Sequence, residues 1–336
     1  MPRFSLRHFA LLALCLALAG CLPFSCEREG YTSLTPSDSL SRQIASAMPI
    51  DTLGIVHTTP GPDAQSDRMQ FPRTVRFGPE GHIFVSDVER NSLFEFDGSG
   101  RFVREIALDG FAAPYLSGVR GDTLIVYSAT TDRIDFVVDG RSVRHVSVAD
   151  LRPSPKSLFY VVGSDSALFT KTVGENTDGA ISRLDRQGQP EAQVPLPGPY
   201  WRHAGFLRVW GDSLLSLSGF RPVVDVLPLD FSDGAVLDTM ALVGFDSPML
   251  ARSRAFLTGD VDGAPLLSAS ADATPTRLFA LNMRPGWLHI DVFDHAGRLQ
   301  HRITQPDPSP GRDFYPRDLA VRPRTDGRYD VAIILS

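Results

Sequence analysis

Lysine is almost missing from this chain: Lys156 and Lys171 are the only two, so 31 of the 33 basic side chains are arginine. Asparagine is nearly as scarce, at Asn91, Asn176 and Asn282. The three cysteines, Cys15, Cys21 and Cys26, are too few for a disulfide framework. The formal charge of −6 lacks the basic excess of a nucleic-acid binder, so no nucleic-acid partner is expected. No apolar run reaches the roughly 20 residues of a bilayer-spanning helix. There is no G-x-S-x-G, no H-E-x-x-H and no phosphate-cradling glycine-rich loop, which removes the common sequence marks of serine hydrolases, zincins and nucleotide binders. Sustained helical periodicity is also missing beyond residue 49, where short apolar runs alternate with Gly, Asp and Pro. That pattern predicts an all-β body.

The first residues have another character. Arg3 and Arg7 precede an apolar stretch, Phe9–Ala19, of signal-peptide rather than transmembrane length. It ends in Leu18-Ala19-Gly20-Cys21, which resembles the lipobox of bacterial lipoproteins. The resemblance implies a signal peptide over 1–20, lipidation of Cys21 and a lipidated tether over 21–48. A short helix is expected near Ser39–Ala47, and the folded body over 49–336. Leu22, where Asp would resemble an inner-membrane retention signal, points to the outer membrane of a bacterial envelope. Membrane contact is then through the lipid anchor alone.

A turn motif recurs in the body. FDGSGR at 96, VDGR at 138, LDRQGQ at 184, LDFSDGA at 229 and FDHAGR at 293 each follow one apolar run and precede another. Their aspartates at 97, 139, 185, 230 and 294 are 42, 46, 45 and 64 residues apart. Multi-strand repeats of about 40–50 residues are the sign of a propeller. A second register agrees: GHIFVSD, DTLIVYS, SALFTKT, DSLLSLS, TRLFALN and RYDVAII give six second strands but only five following hairpins. The spacing predicts six blades, the last closed by pairing the N-terminal run Ile50–His57 with the C-terminal strands. The long interval holds an inserted loop at 243–265.

Residues 71–106, FPRTVRFGPEGHIFVSDVERNSLFEFDGSGRFVREI, resemble an NHL repeat, with Pro before the inner strand, P-x-G, V-x-D, Asn and F-D-x-x-G in order. FYPRDLAV at 314 repeats the opening. The resemblance, to six-bladed NHL-type propeller lipoproteins, implies a fold that serves lactonases, lyases and binding proteins alike.

Function is read from the loops. One loop face collects Arg73, Trp201, Arg202, His203, Arg221, Arg284, Trp287 and Arg317, rings and guanidiniums suited to an anionic or sugar-like ligand or a peptide carboxylate. The same residues could instead seal gaps between blades and pair with acidic neighbours. The expected role is an envelope-anchored binding platform for a protein partner or small ligand. No cofactor or metal and a monomeric state are expected. The alternative is a metal-dependent, lactonase-like hydrolase or lyase with its site at the central channel, for which only Asn282 and His203 are placed to contribute. A structural subunit of an envelope complex is the third reading. Asp87 and Asp135 fall where blades place structural carboxylates.

Overall fold

The computed structural model describes residues 37–56, 58, 69–108, 110–164, 167–174, 179–306 and 314–336. The expected signal peptide, Cys21, Cys26, most of the tether, His57 and Asn176 lie outside the described residues.

The chain begins with helix α1 (Asp38–Ala47), started by the Ser37 hydroxyl, which accepts from the Leu40 amide. A short strand, β1 (Ile50–Thr52), follows. Five four-stranded antiparallel blades come next. The first is β2 (Pro72–Phe77), β3 (Ile83–Asp87), β4 (Ser92–Phe96) and β5 (Phe102–Ala107). The second is β6 (Pro114–Arg120), β7 (Thr123–Ser128), β8 (Arg133–Val138) and β9 (Arg141–Ser147). The third is β10 (Leu158–Gly163), β11 (Leu168–Val173), β12 (Gly179–Leu184) and β13 (Pro190–Leu196). The short helix α2 (Tyr200–His203) leads into the fourth, β14 (Gly205–Trp210), β15 (Ser213–Ser218), β16 (Val223–Pro228) and β17 (Asp238–Ala241). Helix α3 (Leu250–Thr258) precedes the fifth, β18 (Ser268–Thr274), β19 (Arg277–Asn282), β20 (His289–Phe293) and β21 (Leu299–Thr304). A two-stranded sheet, β22 (Pro316–Pro323) with β23 (Tyr329–Leu335), ends the chain.

The recurring motif is the outer hairpin of each blade. In three blades the aspartate carboxylate accepts from amides two and four residues on. Asp97 bonds Ser99 and Arg101, Asp185 bonds Gln187 and Gln189, and Asp294 bonds Ala296 and Arg298. Gly100, Gly188 and Gly297 take the positive φ that each turn needs. Asp139-Gly140, both at positive φ, is instead a two-residue hairpin turn. All six runs of the second register are the second strands of their sheets, β3, β7, β11, β15, β19 and β23.

Apolar seams between neighbouring sheets make the core. Leu116 and Leu93 meet between the first and second blades, and Leu278 and Val224 between the fourth and fifth. Leu319 and Val321 of the two-stranded sheet pack with Ile290 of the fifth blade, while Ala320 and Ile334 pack with Val75 and Phe94 of the first. The chain is thus a β-propeller whose ring closes through that small sheet.

Two expectations are corrected. Six four-stranded blades were expected; the described residues form five, and the sixth position holds two strands. The N-terminal strand does not pair with the C-terminal ones. β1 runs parallel to β21 at the outer edge of the fifth blade, with Ile50 opposite Arg302 and Thr52 opposite Thr304. The cause lies in the helix before it. Ala45 is buried, and Ile44 and Met48 pack on the seam of the fourth and fifth blades. Only two residues separate that anchored helix from β1, so the strand reaches no other edge. The insertion at 243–265 is not a plain loop: Val243 bridges Arg298, and α3 buries Phe256 and Leu257 against Trp201.

Candidate functional site

The inner strands β2, β6, β10, β14, β18 and β22 surround the channel, each running beside the next. Near their starting ends lies a cavity of ≈ 330 Å³. Its walls differ. β2 and β22 contribute Arg73 and Arg317, whereas β6 and β10 contribute Tyr115, Phe159 and Tyr160. In ring order β10 is three strands from β22, so Phe159 and Tyr160 stand across the channel from Arg317, whereas Tyr115 is on β6, the strand next to the one that carries Arg73. Tyr127, buried behind them, sits 6.4 Å from Tyr115 and 5.1 Å from Phe159, ring to ring. Its hydroxyl donates to Asp132, which also pairs with Arg152 at 2.9 Å. Burial, with Asp132 adding to it, pushes the Tyr127 phenol up. Burial likewise pushes Tyr160 up to about 12, so both stay neutral over the physiological range.

Deeper in, four charged side chains close the channel. Asp318 on β22 receives Arg76 from β2 at 2.8 Å and Arg208 from β14 at 3.4 Å. Ser270 on β18 donates to the same carboxylate at 2.6 Å, and the Val75 amide donates at 2.9 Å. Asp272 on β18 faces Arg208 at 3.9 Å. Burial works to raise both carboxyls. In Asp318 the two arginines and the hydrogen bonds outweigh it and hold the group below the usual range. In Asp272 burial prevails and the group is pushed up. Arg208 is brought down to about 10, mainly by burial and then by Arg76.

Arg73 and Arg317 are not spent in this way. Neither forms an ion pair among the described residues, and Arg73 Nε is buried there without a hydrogen-bond partner. Both guanidiniums lie near the Phe71 ring, 4.3 and 5.8 Å from its centroid. Arg317 Nε donates to the Ser336 hydroxyl at 2.6 Å. Five guanidiniums therefore line the cavity, and two of them, Arg73 and Arg317, have no carboxylate partner among the described residues.

The other six residues singled out from the sequence lie elsewhere. Trp201 is buried edge-on against Phe256 of α3 at 5.1 Å. His203 is buried between the Pro197 carbonyl, 2.9 Å, and Asp225, 3.2 Å. Arg202 and Arg221 flank Asp225; burial works to raise its pKa, but His203 and these arginines together hold it low. Arg284 pairs with Asp246 of the insertion at 3.1 Å and stacks toward Trp287 at 5.3 Å. These six fasten the insertion and its neighbours to the fourth and fifth blades.

Sequence reasoning passed over Arg76, Arg208, Asp318 and the tyrosines. A signal was available: PRTVRF, GFLRVW and PRDLAV each place a charge inside an otherwise apolar inner strand. In a ring of sheets such a charge has only the channel to face. Asp87 and Asn91 are structural, as their positions suggested. Asp87 accepts four backbone amides, and Asn91 accepts the Ala113 amide while taking a φ of 52°.

A catalytic metal would need converging His, Cys or carboxylate ligands. No three such side chains converge among the described residues. Asp318 and Asp272 face arginines, and Asn282 is turned away from the cavity, donating to Asp291 at 3.0 Å. His203 is held in its own blade. The residues do not fit a metal centre in the channel.

No protein-family model matches the chain, and no curated protein matches it. Among solved structures, the calcium-binding protein regucalcin from Agrobacterium tumefaciens str. C58 aligns at 13% identity over 81% of this chain and 83% of that one, with a TM-score of 0.52. Virginiamycin B lyase from Staphylococcus aureus aligns at 12% identity over 80% and 86%, TM-score 0.46. A gluconolactonase from Xanthomonas campestris aligns at 14% identity over 80% and 88%, TM-score 0.48. At such identities the likeness is one of fold alone, a β-propeller.

Proposed function

We propose that this chain is a lipid-anchored envelope propeller that binds a small organic anion in the mouth of its channel. The observation that carries the reading is the pair Arg73 and Arg317, two guanidiniums without carboxylate partners among the described residues, at a concave cavity. Guanidinium hydrogen bonds to carboxylate or phosphate are among the strong polar contacts. A cavity of ≈ 330 Å³ lies at the small end of the usual ligand-pocket range, about 300–1,000 Å³, and favours a small ligand over a protein surface. Among the described residues the lining has no His, Cys or Glu, and its one Asp is occupied by Arg76 and Arg208, so binding accounts for the site better than proton-transfer catalysis. The anchored location rests on Leu18-Ala19-Gly20-Cys21 after its apolar stretch.

Calorimetric titration at low salt with simple carboxylates and inorganic phosphate tests the binding. At least one anion is expected to bind, with Arg73→Gln and Arg317→Gln each weakening it roughly tenfold or more. An unaltered protein that binds none of these anions would overturn the reading. For the anchor, Cys21→Ala is expected to move the protein from the membrane fraction to the soluble fraction; retention in the membrane would refute lipidation there.

A further inference from the structure

The cavity is polarised in a way that an anion-binding role alone does not require. Its two guanidiniums without a carboxylate among the described residues, Arg73 and Arg317, are on β2 and β22, and Tyr115, Phe159 and Tyr160 are on β6 and β10, with Phe206 on β14; Arg76, Arg152 and Arg208 also line it but are paired with Asp318 or Asp132. Tyr115, Phe159 and Tyr160 are half-buried, and Leu158 beside them is 43% exposed, so apolar surface remains uncovered at the mouth. Buried Tyr127 braces this wall from behind. Its hydroxyl is fixed by Asp132, and Arg152 locks Asp132 in turn while donating to the Ala129 carbonyl at 2.9 Å. The wall is therefore held in place before any ligand arrives. A site for inorganic phosphate or a short aliphatic acid would gain nothing from these three rings, two of which face Arg317 across the channel. A sugar acid would call for free side-chain amides and carboxylates to meet its hydroxyls; the described lining residues include no Asn, Gln or Glu, and their one carboxylate, Asp318, is taken by Arg76 and Arg208.

We infer that the ligand is a flat aromatic carboxylate, its acid group held by Arg73 and Arg317 and its ring laid against Tyr115 and Phe159. This rests on the anion-binding reading above and narrows it to one chemical class. Aromatic faces favour offset-stacked or edge-on partners over saturated groups of the same size. Tyr160, a phenol neutral at its ordinary pKa and pushed further up by burial, adds no charge to repel the acid.

The test compares benzoate with cyclohexanecarboxylate by calorimetry on the soluble chain from residue 27. The two probes have the same charge and nearly the same size, and the saturated ring is the more hydrophobic. A preference for benzoate therefore reports planarity and not greasiness. Benzoate is expected to bind several-fold to tenfold tighter, and Phe159→Leu to erase most of that ratio. Arg73→Gln is expected to weaken both probes alike and leave the ratio intact. Equal or tighter binding of cyclohexanecarboxylate would overturn the aromatic assignment while leaving anion binding standing. So would phosphate or acetate binding as tightly as benzoate. If no anion binds, the broader reading fails and this one falls with it.

Discussion

The Lys171 ammonium is one of the fully enclosed charged groups of the described core. Its side chain is fully buried, and Nζ lies 2.9–3.3 Å from the carbonyls of His203, Phe206 and Leu217 and the hydroxyl of Ser216. Those four oxygens suit an ammonium with three donors and tie the third blade to the fourth. Burial acts against the charge and, helped by Arg208 and opposed by Asp225, brings the pKa down to about 7. The unfolded chain keeps its proton up to the ordinary lysine range, near 10.5, so between those values it binds more protons than the folded state. Stability should therefore rise with pH from about 7 to about 10.5. Denaturant titrations across that window should show the slope, and Lys171→Met should flatten it whatever it does to absolute stability. A slope unchanged by the substitution would show that Lys171 keeps its proton.

Among elements, the hairpins and the insertion show how far local chemistry reaches. The five outer turns were legible because each holds a Gly at positive φ, joined in three of them by an Asp that bonds its own backbone, and these need only their near neighbours. The edge taken by β1 was not legible. It depends on Ile44, Ala45 and Met48 finding a seam formed by residues about 170 to 250 positions later. The site divided the same way. Arg73 and Arg317 carry the repeated Pro-Arg opening of an inner strand and reach the channel. Arg202, Arg221 and Arg284 look equally available in sequence, and their places were set by Asp225 and Asp246, which no local pattern announces. Two glycines separate the two kinds of constraint. Gly259 caps α3 at φ 88° with open space where a Cβ would sit. Gly259→Ala should cost only the left-handed backbone penalty, about 1–2 kcal/mol. Gly297, at φ 70° in the fifth blade's turn, would put a Cβ 2.3 Å from the Ala241 carbonyl oxygen of the fourth. Gly297→Ala should cost clearly more, and equal losses in chemical denaturation would argue that the blade contact yields.

At the scale of the whole molecule, the question is how a two-stranded sheet closes a ring otherwise made of four-stranded blades. Apolar burial on both faces does part of it: Leu319 and Val321 lean on one neighbour, Ala320 and Ile334 on the other. Asp318 supplies the directional part, since its one carboxylate draws in groups from β2, β14 and β18. Removing the charge leaves the part-buried Arg76 without its carboxylate and the buried Arg208 with only its longer pair to Asp272, and breaking a buried pair typically costs about 3–5 kcal/mol. Asp318→Asn should destabilise the protein by that order. Glu105→Gln, which loosens the half-exposed pair with Arg90 inside one blade, should cost well under about 1 kcal/mol. The acid limb gives a second readout with a definite sign. Asp318 has a lowered folded pKa, so its contribution is present above the ordinary aspartate range and is lost as pH falls through the lowered value. Asp318→Asn should therefore reduce the steepness of acid unfolding below about pH 4. If the two variants lose the same small stability, closure resides in the apolar seams alone, and the charged floor of the channel serves the ligand site rather than the ring.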